Sequence, residues 1–274
     1  MLWLSLAIVV AILVTVVLPI GVVIWLNKKY AIPLNVVMYG VMAYFLAQVV
    51  VTLLFTGFNI LMENGTLAMS GSTLTLVQVI LSVVLGAIAG VLIRWAGMKF
   101  MKENLDTPEA AFAIGVSYGA AESILLVGLP LISTFFTMVT NLNIDLATTS
   151  LDPAMVAQLE QLWLVSPLVP LLGSIERLSA FIMHLSVTFL VLQVFLRGNP
   201  WFLALAMADE LLINGVVVSL SEAGLSNGWL AFISVVFGAA NFYLLYVLKA
   251  FDLKPWKAFK PAPTTVEPPD SIED

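Results

Sequence analysis

Seven apolar runs recur along the chain, each near or above the ~20 residues a helix needs to cross a hydrocarbon core, and they decide what it can fold into. They cover residues 2–26, 34–60, 73–96, 109–129, 167–196, a sixth run opening at Trp201, and 228–249. With 61% hydrophobic and 10% charged residues, a soluble globule is excluded. Continuous apolar runs of this length read as membrane-spanning helices. The expectation is an all-α polytopic membrane protein with about seven transmembrane helices.

The first run is too long for the apolar region of a signal peptide and lacks a basic leader and a small-residue cleavage pattern, so it reads as a retained helix. Thr107, Pro108 and Glu109 have the pattern of a helix start. After Pro130 we expect a short helix, an Asn/Asp/Thr-rich loop at 141–152 and an amphipathic segment at 153–164 suited to a membrane surface. Residues 1–251 thus form one transmembrane domain, with an extracytoplasmic loop and surface helix at 130–165. Residues 252–274, rich in Lys, then Pro and acids, read as a disordered cytoplasmic tail.

Cations sort cleanly. Lys28, Lys29, Arg94, Lys99, Lys102, Arg197, Lys249, Lys254, Lys257 and Lys260 fall on one side of a seven-span chain. The positive-inside rule then puts the N-terminus outside and the C-terminus in the cytoplasm. Arg94 with Trp95 reads as an interfacial pair at the end of the third span. Only Arg177 is left inside a span. The net charge of -6, with no Lys/Arg stripe, excludes nucleic acid as a partner. The absence of cysteine removes thiolate nucleophiles and thiolate metal sites, leaving His, Asp and Glu as metal ligands.

Polar groups inside the spans are costly and usually face a bundle interior with partners. The fourth span carries Tyr118 and Glu122, the fifth Glu176, Arg177 and His184, the sixth Asp209, Glu210 and Asn214. His184 is the only histidine. Arg177 and His184 lie within about 20° of one helix face and about 10 Å apart along the axis. Tyr118 with Glu122, and Glu210 with Asn214, are i, i+4 pairs sharing a face. Gly115, Gly119 and Ala120 permit close helix approach around Glu122. Such a cluster suits water activation, with a carboxylate as general base and His184 with a second acid holding a metal or steadying an oxyanion. Arg177 reads as a carboxylate's partner. A structural network of ion pairs is the plainer reading of the same residues.

At these positions the sequence resembles the YhfC family of intramembrane metalloproteases, within the wider set of CAAX prenyl-protease-like and PrsW-like membrane proteins. The resemblance covers nearly the whole chain. Residues 119–124, GAAESI, look like the family's G-H-G-G-x-E-[AS]-I helix, and residues 176–184, ERLSAFIMH, like its E-R-x-x-A-x-x-x-H helix. This likeness implies an active site of Glu122, Glu176, Arg177 and His184 in a bacterial inner-membrane protein, with Glu122 the general base. It also implies a metal, zinc, held by His184, Glu122 and Glu210 with Tyr118 and Asn214 in support. The substrate class it implies is a transmembrane or membrane-bound protein. Two family histidines are replaced: Tyr118 stands four residues before Glu122, and the third motif, H-x-x-x-[DN], appears as Glu210 to Asn214. A site with one histidine is a poorer zinc site than the family pattern.

Three functions suit these residues. The first is an intramembrane metallo- or glutamyl-type peptidase. The second is a catalytically degenerate scaffold that binds a membrane partner. A third, a proton-coupled permease, would use the same buried acids, but the chain shows no inverted repeat and no paired broken helices.

Overall fold

The computed structural model describes residues 2–100, 105–141 and 152–256. Among them the chain is helical, with seven helices long and apolar enough to cross a membrane: α1 (Leu2–Tyr30), α2 (Leu34–Glu63), α3 (Gly71–Phe100), α4 (Pro108–Thr140), α6 (Leu168–Arg197), α7 (Trp201–Glu222) and α8 (Asn227–Val247). The short α5 (Pro153–Leu164) precedes α6. The expected 141–152 loop, apart from its first and last residues, and residues 257–274 of the expected tail lie outside the described residues.

The α6 helix is the axis of the bundle, packing against α8, α4, α7, α1 and α3. In its most apolar stretch 67% of residues are buried, against 17–33% for the other spans. A helix enclosed by its neighbours can keep polar groups from lipid, and it carries His184, 2% exposed, and Arg177, 26% exposed. Small residues bring α4 against it: a methyl group at Gly115 would come 2.8 Å from Leu185 Cα, and one at Gly119 would come 3.5 Å from His184 Cβ.

Helix ends follow their sequence signals. Thr107 accepts a hydrogen bond from Ala110 N and Pro108 fills the first turn of α4, as the Thr-Pro-Glu pattern indicates. Asp152 caps α5 in the same way, and α5 packs Leu162 and Trp163 against a cluster of Leu4, Ile8 and Met138. The start of the tail is tied down: Lys254 N donates to Glu109 Oε1 and Trp256 N to Tyr30 O. These bonds gather the ends of α1, α4 and α8 on one side of the bundle, where Lys28, Lys29, Lys249 and Lys254 also lie.

The fourth span departs from expectation. No separate helix starts after Pro130; α4 continues to Thr140 through a π-turn at Ile124–Gly128. A second π-turn, Leu13–Val17, interrupts α1, and the two turns pack together. Each is followed within two residues by a proline, Pro19 and Pro130, which has no N–H to offer the carbonyl four residues back. For Pro19 that carbonyl is Thr15 O, and Ser123 Oγ donates to it at 3.0 Å. A side-chain hydroxyl thus restores what the proline removed, as membrane interiors require.

Candidate functional site

A single line of polar contacts crosses the bundle from α6 to α4, back to α6, and on to α3 and α7. Arg177 Nη1 donates to Glu122 Oε1 at 3.2 Å. Glu122 Oε2 lies 2.8 Å from His184 Nε2. His184 Nδ1 lies 3.0 Å from Arg94 Nη2, and Arg94 Nη1 donates to Glu210 Oε2 at 3.2 Å. Two guanidinium and two carboxylate groups therefore flank one imidazole, and the charges balance.

The ring's proton can be placed from these contacts. A guanidinium only donates, so Nδ1 must accept from Arg94 and the proton resides on Nε2. That N–H faces Glu122. The contact is short but off the ring N–H axis, so Nε2 makes no aligned hydrogen bond in this arrangement. The Tyr118 ring completes the enclosure. Arg94 Cζ lies 3.7 Å from its centroid, a cation–π geometry, and the His184 ring centroid is 5.0 Å away. Gly90, one turn before Arg94, leaves the room this needs: a methyl group there would come 3.0 Å from Tyr118 Oη and 3.3 Å from Glu210 Oε1.

Burial falls along the line. Arg94 is fully buried and the His184 side chain is 2% exposed, whereas Glu122 and Arg177 are 19% and 26% exposed. Beyond Glu122, Arg177 also lines a cleft of about 40 Å³ between α6, α7 and α8 with Glu176, Asn214 and Ser234. That is room for about one water.

The expected residues thus divide. Glu122, Arg177, His184, Glu210 and Tyr118 converge. Glu176 and Asn214 face the cleft, and Glu176 forms no hydrogen bond or ion pair among the described residues. Asp209 turns away toward α8, where Asn241 Nδ2 donates to its Oδ1 at 3.4 Å.

Arg94 corrects the sequence reading. It is buried among His184 and Glu210, six residues inside the end of α3, and the cation that meets Trp95 is Lys99, whose Nζ stands 4.6 Å from the indole centroid. The available signal was Gly90, a small residue one turn earlier on the same helix face.

A metal does not fit these donors as they stand. His184 can offer only Nε2, Glu122 shares its second oxygen with Arg177, and Arg94 stands between His184 and Glu210. No group of three His, Cys, Asp or Glu able to hold a metal converges among the described residues, and catalytic zinc sites use about three protein ligands.

The family model described as YhfC intramembrane metalloprotease matches residues 14–236. A protein of Bacillus subtilis (strain 168), "Uncharacterized membrane protein YhfC", is 24% identical over 245 residues, covering 85% of this chain and 91% of that one. No solved structure matches the chain.

Proposed function

Since the chain belongs to the YhfC intramembrane metalloprotease family, we propose that it is an intramembrane peptidase in which Glu122 is the general base and no step passes through a metal. Water beside Glu122 gives a proton to the carboxylate as its oxygen attacks the scissile carbonyl carbon. His184 Nε2 stands 2.8 Å from the carboxylate's second oxygen. Arg177 uses Nη1 for Glu122, and the rest of its guanidinium, free of other hydrogen bonds among the described residues, meets the developing oxyanion. Glu122 then passes its proton to the leaving amine as the C–N bond breaks. The substrate class is a transmembrane or membrane-bound protein.

The observation that carries this reading is the Glu122 carboxylate shared between Arg177 and His184 at the edge of a buried polar line. One observation favours the second reading, a non-catalytic scaffold: both Glu122 oxygens are already engaged by protein groups. The test is cleavage of a library of bacterial membrane proteins by wild type and Glu122→Gln. Cleavage lost in the variant supports the peptidase. If wild type cleaves nothing and partner recovery is the same for both, the scaffold takes its place.

A further inference from the structure

The polar line has a cation at its centre that cannot leave. Arg94 is fully buried, and its charge is permanent because a guanidinium does not deprotonate in proteins. Three side chains from three helices surround it: His184 of α6 at 3.0 Å, Glu210 of α7 at 3.2 Å, and the face of Tyr118 of α4 at 3.7 Å. A nitrogen, an oxygen and a π face gathered around one guanidinium are groups that a bound cation would use. Here the cation arrives on α3, seated over Gly90.

We infer that the Arg94 guanidinium is the resident cation of this site, holding the place among His184, Glu210 and Tyr118 that a divalent metal ion would have to take. Two physical consequences follow. His184 cannot direct Nδ1 at a metal while that atom accepts from Arg94. A divalent ion placed there would also add two positive charges beside a buried guanidinium, in a site whose carboxylates are already matched by Arg94 and Arg177. The inference concerns the site proposed above but stands whether or not a peptide bond is cut there.

The experiment is metal analysis of the full chain purified in detergent, with unfolding followed after adding zinc sulfate or a chelator. Wild type is expected to hold far less than one zinc per chain and to unfold at the same temperature with either addition. The variant Arg94→Ala/Glu210→His/Tyr118→His, which vacates the place and supplies imidazoles, is expected to gain about one zinc per chain and to be stabilised by it. About one zinc per wild-type chain, lost in His184→Ala, overturns the inference. So does a folded triple variant that takes up no zinc. Should the triple variant fail to fold, the wild type and His184→Ala measurements still decide the matter. A wild type that cleaves and holds zinc overturns the inference but not the peptidase. One that neither cleaves nor holds zinc overturns the peptidase but not the inference.

Discussion

Nη2 of Arg94 lies 3.0 Å from Nδ1 of His184, 90 residues away along the chain. This contact fixes the ring's proton on the far nitrogen and so determines what His184 presents to Glu122. It also joins α3 to the central helix at the point where a stray charge would be most costly.

Removing that arginine leaves Glu210 buried without its partner. Arg94→Met should destabilise the protein by about 3 to 5 kcal/mol, the range for breaking a buried ion pair from one side. Arg94→Met/Glu210→Leu, which removes both charges, should recover most of the loss. Unfolding of both variants in detergent micelles checks this; equal instability of the two would refute the pairing.

Lysine is not an adequate substitute at the same position. A single ammonium cannot reproduce the fork that serves Glu210 and His184 together, nor lie flat on Tyr118. Arg94→Lys should therefore fall between wild type and Arg94→Met in stability. The nitrogen NMR shifts of His184 should also move toward a mixture of tautomers, which a merely structural cation would leave unchanged.

Glu122→Gln keeps the size of the side chain but cannot take a proton from water. Cleavage should fall by about 10² to 10⁴, the usual contribution of general base catalysis. The folded protein should persist by circular dichroism. A variant retaining more than a tenth of wild-type cleavage would remove Glu122 from the chemistry.

Ser123→Ala withdraws the hydroxyl from Thr15 O, whose usual donor is missing because of Pro19. The expected cost is about 1 kcal/mol, since hydrogen bonds between membrane helices average about 0.6 and reach about 1.7. Pro19→Ala should restore a backbone donor and make Ser123→Ala nearly silent. A double-mutant cycle reads the coupling, and strict additivity would exclude it.

Much of this was legible in the residues, for reasons that also explain what was not. The apolar runs announced seven helices because lipid leaves a chain few other choices. Gly115 and Gly119 announced a close helix approach around Glu122, and the helix that makes it is α6. The partnership of Arg177 with a carboxylate followed from the cost of leaving it alone. Arg94 escaped because a cation near the end of an apolar run is usually explained by the headgroups. Only the packing shows that α3 extends past it to Phe100 and that Arg94 turns inward to His184 and Glu210. Motif and helix face group Glu176 and Asn214 with the cluster, whereas α6 and α7 turn them to an adjoining cleft that only Arg177 of the polar line shares. Pro130 reads as the start of a new helix because the sequence does not reveal that a π-turn can carry a helix past a proline.

The π-turn at Ile124–Gly128 gives α4 two independent phases. Its first part, Pro108–Ser123, aims Tyr118 and Glu122 at the bundle interior, while its second, Leu129–Thr140, aims Met138 at Leu4 and Ile8. Deleting one residue between them would rotate one part against the other by about 100°, so either the acid would lose its companions or the N-terminal helix would lose its seat. The wide turn acts as a coupling sleeve: it lets one continuous rod satisfy two unrelated sets of neighbours, and it makes the pose of the acid answerable to how α1 is held.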